Sequence, residues 1–289
     1  MSRLAAFGAF GASLLLASLS LGCIDTGAEP VSIPLSVAGT ASEGIIARRG
    51  VPVTLERADL AFGPLTLCAG FQAGDNCDSA LAEWRDSVVI DALDPAAMPV
   101  GALDGVGGSA RSYMYDLGFV SLLTTSDPLS LPAAEALGGA SYVLEGSAEV
   151  DGVTIPFSAR AVLSQSATVE RGIPIIRSGP GEAFARELDE TSEPLTLRFD
   201  PAAWVSDIDF GALVQSRSCT TDVDVVCDGQ LEHECALDGS VASTRECTAN
   251  GEVCQPGVGC VERIELAPGS QALSAIRTAL LSQTRPAFE

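Results

Sequence analysis

The sequence contains no lysine: all 16 of its basic residues are arginine, set against 38 acids. A lysine-free chain points to a GC-rich genome rather than to a mechanism, but the charge imbalance has physical consequences. So acidic a surface repels nucleic acid and anionic headgroups, and no basic stripe offsets it, which excludes nucleic acid as a partner. There is a single histidine, His233. Ser-His-Asp and Cys-His sites both need a histidine beside the nucleophile, yet His233 lies in a run of cysteines, between Glu232 and Glu234. No Gly-x-Ser-x-Gly elbow surrounds any serine; Gly39-Thr40-Ala41-Ser42-Glu43-Gly44 misses because Thr40 takes the place of the first glycine. Cys-x-x-Cys pairs are also missing, which with one histidine argues against zinc. Copper would draw on Met or His clusters, and only Met98 and Met114 follow Met1. No catalytic residue, metal-ligand set or cofactor is therefore expected, and the chain reads as a non-enzyme.

What is present begins at the amino end. Met1-Ser2-Arg3 supplies one positive charge, and Leu4 to Leu21 follows without any charge, centred on Leu14-Leu15-Leu16. Small residues close the run at Ser20 and Gly22, directly before Cys23. A basic start, an apolar stretch and a small-residue cleavage site together make an export signal rather than part of a fold. The competing reading is an uncleaved membrane helix, since about 18–20 apolar residues can span a bilayer. Ser20-Leu21-Gly22-Cys23 resembles the lipobox of bacterial lipoproteins, with Ser20 where that family usually has leucine. The resemblance implies removal of residues 1–22 and diacylation of Cys23, whose thiol alone can form the required thioether. It also implies a membrane partner through the lipid, for which stable anchoring takes at least two chains. Ile24 follows the cysteine where the inner-membrane retention signal would have Asp, so the outer membrane is the expected address.

Nine cysteines are an odd number for an exported chain. Lipidation of Cys23 leaves eight, at Cys68, Cys77, Cys219, Cys227, Cys235, Cys247, Cys254 and Cys260. In an oxidising compartment a disulfide framework is the default. Cys68 and Cys77 are close together, far from the rest, and are expected to pair. The other six admit fifteen connectivities, among which sequence does not choose. The pattern Cys247-Thr-Ala-Asn-Gly-Glu-Val-Cys254-Gln-Pro-Gly-Val-Gly-Cys260 resembles small cysteine-rich appendages on exported proteins of myxobacteria. The chain as a whole resembles uncharacterised myxobacterial cell-envelope lipoproteins, a family that implies no known activity.

Loss of the signal with Arg3 leaves 15 arginines against 38 acids, a net charge of −23. Residues 23–30 read as a lipidated tether, 31–215 as a β-rich domain, 216–262 as a disulfide-stapled insertion, and 263–289 as a carboxy-terminal helix returning to the main domain. Val31–Val37, Val51–Leu55, Leu65–Cys68, Ser87–Leu93 and Leu195–Phe199 are short apolar runs of strand type. Ala110–Val120 is another, with Tyr113, Tyr115 and Leu117 on one face by period two. Ser141–Val150 and Val153–Leu163 flank Asp151-Gly152, a type I′ hairpin signal. Ile173–Arg177 adds a further strand. Asp200-Pro201 opens a short helix over Ala202–Val205, and Ser270 caps Gln271–Ser282, whose Leu273, Ile276 and Leu280 share a face. The predicted fold is mainly β, an antiparallel sandwich or curled sheet with a few short helices near the carboxy end.

Three further sets of residues invite a functional reading. Asp222, Asp224 and Asp228 approach a calcium loop, but Val226 stands where an acid is required and no glutamate follows at the right spacing. Trp84 and Trp204 suit core anchors better than a cleft, and Tyr113 and Tyr115 a buried strand face. The function expected from these residues is a lipid-anchored envelope protein with a binding or structural role, its partner an envelope protein or small ligand. The alternative is a periplasmic protein handling metal or small ligands with its acidic loops.

Overall fold

The Asp151-Gly152 turn shows the architecture most simply. Both residues have positive φ, 51° and 79°, as a type I′ turn demands. The flanking strands Tyr142–Val150 and Val153–Ala161 pair without interruption from Tyr142↔Ala161 to Val150↔Val153. Alternate residues of each strand point inward: Leu144, Ala148, Ile155 and Phe157 are all fully buried. The computed structural model describes residues 29–70, 77, 79–120, 129–163, 176–177, 184–215, 218–283 and 286–289. Cys23, the export signal and part of the expected strand Ile173–Arg177 lie outside them.

Two large sheets form the body. One has eight strands, in the order Ile176–Arg177, Ser112–Tyr115, Leu65–Cys68, Ala80–Trp84, Met98–Val106, Pro30–Ala38, Leu195–Arg198 and Ala287–Phe288. It curls as a half barrel. The other runs Ile45–Ala47, Val51–Phe62, Tyr142–Val150, Val153–Ala161 and Ile264–Glu265, with Val88–Asp91 also paired to Val51–Phe62. Leu35, Leu67 and Leu103 from the first sheet share one core with Leu60, Leu144 and Phe157 from the second. A shared apolar interior between two sheet faces is the stabilising feature of sandwich-like folds. Strand pairing is mostly antiparallel, but two pairings are parallel: Pro30–Ala38 with Leu195–Arg198, and Val153–Ala161 with Ile264–Glu265.

The chain crosses between sheets at Gly63, where Val51–Phe62 ends and Leu65–Cys68 begins. Gly63 has φ +103°, and a Cβ there would fall 2.4 Å from the Asp86 carbonyl oxygen and 2.6 Å from Cζ3 of Trp84. Only glycine fits. The expected single strand Ala110–Val120 is divided into Gly108–Ala110, Ser112–Tyr115 and Phe119–Val120; Gly118, at φ +78°, breaks the run. Tyr113, Tyr115 and Leu117 nevertheless bury one face, as period two predicts.

Helices are short. The Asp200 carboxylate accepts from the Ala202 amide at 3.0 Å and opens Ala202–Val205. Ser270 Oγ accepts from the Leu273 amide at 3.1 Å and starts Gln271–Thr278, which continues as a wider turn over Ala279–Gln283. Leu273, Ile276 and Leu280 are buried. Pro132–Ala136 is a further helix, with proline in its first turn. No helix among the described residues is long and apolar enough to cross a membrane.

The cysteine-rich stretch builds separate sheets. Val225–Asp228, Leu231–Cys235 and Val241–Glu246 form a three-stranded antiparallel sheet, and Val253–Gln255 pairs with Gly259–Val261. Cys227, Cys247 and Cys254 make its small core with Cys260.

Candidate functional site

The outer face of the six-stranded sheet carries the largest concentration of paired charges in the described residues. Inward positions of Tyr142–Val150 and Val153–Ala161 are taken by the core, so Glu145, Ser158 and Arg160 must face out. Arg57 is opposite Glu145, Glu145 opposite Ser158, and Ser158 opposite Glu265. Four strands thus contribute one polar row. A register shift beside Glu145 and Gly146 keeps Arg57 on that face, a usual effect of a β-bulge.

This row floors an open groove of about 610 Å³ walled by Leu137, Gly138 and the turn Leu266–Pro268. Arg57 bonds Asp59 at 2.6 Å and Glu145 at 3.3 Å. The Asp59 hydrogen bond is the main reason the Arg57 guanidinium is held above its ordinary value, against partial desolvation. Arg263 bonds Glu145 and lies 3.7 Å from Glu56. Arg160 donates to the Leu137 carbonyl at 2.6 Å and to that of Gly138, at the end of the helix Pro132–Ala136; a cation suits a helix carboxy terminus. Every arginine here already has an oxygen partner. The groove offers polar contacts to a small ligand, and among the described residues its carboxylates belong to no group of three converging ligand atoms.

All eight cysteines outside the signal region pair. Cys68 bonds Cys77 as expected, and the remaining pairs are Cys219–Cys235, Cys227–Cys254 and Cys247–Cys260. His233 lies on the strand Leu231–Cys235, its Nδ1 2.9 Å from Thr244 Oγ1. Neither flanking carboxylate orients the ring as a catalytic site would need: Glu232 accepts from the Cys260 amide and Glu234 from Ser243 Oγ. Asp222, Asp224 and Asp228 do not converge: among the described residues they belong to no group of three ligand atoms. The group that does meet is Glu232 with the sulfurs of Cys247 and Cys260, all within 4.8 Å. Those sulfurs are bonded to each other, and Glu232 already accepts from the Cys260 amide at 2.6 Å. In the oxidised chain this is a staple with a buttress.

Trp84 and Trp204 are core anchors, at 4% and 1% exposure. Trp84 Nε1 donates to the Val100 carbonyl at 3.2 Å. The residues that sequence reasoning missed are buried and polar. Asp116 has 5% exposure, and its Oδ1 has no partner. Burial pushes its carboxyl up to about 7. Tyr142 is fully buried with an unpartnered hydroxyl, and burial raises it above the usual phenol range. Neither is foreshadowed by its neighbours, since Asp116 follows Tyr115 in what reads as an ordinary alternation.

No family model matches the chain, and no curated protein matches it. Among solved structures it is similar to MbnP from Methylosinus trichosporium, at 12% identity and a TM-score of 0.33, over 63% of this chain and 79% of that one. A likeness of that strength carries no functional argument.

Proposed function

We propose that this chain is an exported lipoprotein, acylated on Cys23, that holds a disulfide-stapled β domain at the cell envelope in a binding or structural role without catalysis of its own. The observation that supports this reading most is the pairing of the cysteines. Eight of nine form four disulfides, which suits an oxidising compartment and leaves Cys23 without a partner for a disulfide. A leftover cysteine after an apolar run is the residue that lipidation uses. The outer membrane is the proposed destination, with Ile24 after the cysteine.

The proposal of no catalysis rests on His233 and on the groove. The one histidine faces Thr244, and the groove's cations are paired to carboxylates and carbonyls. The test is fractionation of Cys23→Ser in the native host. It should accumulate as an unprocessed precursor or as protein released from the membrane. A variant that still fractionates as a processed membrane protein sinks the reading.

A second reading, metal handling, has one observation in its favour, the proximity of Glu232, Cys247 and Cys260. It requires the Cys247–Cys260 disulfide to be reduced first. Elemental analysis after reduction of that disulfide and incubation with zinc decides it: stoichiometric metal supports the reading, and a reduced chain that takes up none removes it.

A further inference from the structure

The sheets of the main body end in ways that discourage a further strand. The eight-stranded sheet terminates on two-residue strands, Ile176–Arg177 and Ala287–Phe288. The six-stranded one terminates on Ile45–Ala47 and Ile264–Glu265, with the four-residue Val88–Asp91 flanked by the helix Pro132–Ala136, whose Ala133 amide bonds Ser87. Short or covered edges are the usual protection against unwanted strand pairing.

The cysteine-rich sheet departs from this pattern on one side. Its Val225–Asp228 edge is covered: Val226 and Cys227 are buried, and the Gly257 amide donates to the Val225 carbonyl. The opposite edge is Val241–Glu246, six residues long, and every one of them is exposed. Among the described residues nothing pairs with its outer side, and no other edge strand exceeds four residues. The strand holds neither proline nor glycine. Large apolar side chains stand beside it: Val241 is 51% exposed, and Leu237, in the turn leading to the strand, is 94% exposed. Three disulfides fix this surface, so an incoming strand meets a rigid template rather than a fluctuating one.

Charge selects the partner. Residues 218–262 carry nine acids and one arginine, Arg245, and Arg245 is bonded to Glu252. We propose that Val241–Glu246 is a docking edge for an extended, cationic polypeptide segment of another protein, which adds as a fourth antiparallel or parallel strand and packs an apolar side chain on Leu237 and Val241. Main-chain hydrogen bonds supply affinity in this mode and alternate side chains supply selectivity. A second copy of this chain is the disfavoured occupant, because edge-to-edge pairing would bring two strongly acidic sheets together. The inference rests on the binding role proposed above and gives it a site and a class of partner.

The test uses the purified mature chain and a fluorescein-labelled ten-residue peptide of alternating arginine and valine. Its control is the same peptide N-methylated at every residue, which keeps charge and side chains but removes the donors along both edges. Fluorescence anisotropy at low salt should show binding of the first peptide, weakened at least roughly tenfold in the second, the equivalent of one or two net hydrogen bonds. On the protein side, Thr244→Pro and Arg245→Pro are compared, because pairing is regular there, whereas the register shifts between Val241 and Ser243. Successive residues aim their amides to opposite edges, so one of the two leaves the pairing with Leu231–Cys235 intact, verified by disulfide mapping, while removing an outward donor. That variant should lose binding. Equal binding of both peptides would reduce the site to charge alone and overturn the proposal, as would no binding at low salt. A concentration-dependent dimer, abolished by the same proline, would overturn the choice of partner. None of these results depends on lipid at Cys23, so the docking edge and the anchor fail separately.

Discussion

Asp116 carries an energetic liability that the rest of the core must offset. Its carboxyl is enclosed, Oδ1 has no partner, and burial alone moves it from 3.8 to about 7. The folded chain therefore holds a proton that the unfolded chain releases. Stability from this group is complete below about pH 4 and is lost as pH rises through about 7, to a total on the order of 4 kcal/mol. Asp189, Asp238 and Glu289 shift the opposite way, each lowered first by a side-chain hydrogen bond from Thr191, Ser240 or Arg198. A wild-type pH curve alone mixes the two signs. The difference between wild type and Asp116→Asn isolates the first. Urea midpoints of the pair should diverge as pH is raised from about 4 to 8, with the variant gaining up to roughly 4 kcal/mol relative to wild type. A pH-independent difference would mean that Asp116 is ionised in the folded chain.

At the scale of elements, the strand Met98–Val106 shows how the fold is assembled and why part of it is hard to foresee. It contains Pro99, Gly101 and Gly105, which in sequence read as breaks. In the fold the glycines are required: a Cβ on Gly105 would lie 1.9 Å from the Leu81 carbonyl oxygen, and one on Gly101 would lie 3.2 Å from Trp84 Nε1. Glycine inside a strand marks close approach of backbone or ligand, a fact that only the neighbouring strand reveals. Gly105→Ala should cost about 1–3 kcal/mol in thermal or urea unfolding through forced displacement of Ala80–Trp84; no loss would contradict that packing. The Asp151-Gly152 hairpin, Leu65–Cys68 and the Ser270 cap were legible because their signals are local. Ser270→Ala should cost about 1 kcal/mol, read from the same unfolding curves. The parallel pairings of Pro30–Ala38 and Val153–Ala161 were not legible, since their partners Leu195–Arg198 and Ile264–Glu265 lie far along the chain. The six-residue edge Val241–Glu246 was hidden for another reason: a strand exposed on both faces has no hydrophobic period to detect. The disulfide partners of the last six cysteines were likewise undetermined until the sheet placed them. Replacing both Cys227 and Cys254 by serine should cost about 4 kcal/mol within this sheet, in the chain-entropy account of a loop that long. Loss of hydrogen-exchange protection confined to residues near Val225–Val261 would show it.

For the whole molecule, charge, cysteines and the apolar start point to one arrangement. A strongly acidic surface is repelled by anionic headgroups, so the proposed membrane attachment draws on burial of hydrocarbon rather than on headgroup attraction. Each lipid methylene contributes about 0.8 kcal/mol, and more than one acyl chain is needed for stable attachment. In the proposed arrangement the polar groove beside Arg57 and the open edge at Val241–Glu246 are the surfaces left for binding. The most direct test of this account is mass spectrometry of the amino-terminal peptide of the protein recovered from its native membranes. The account predicts a peptide that begins at Cys23 and carries acyl chains; a peptide that begins before Cys23, or at Cys23 with a free thiol, would contradict it.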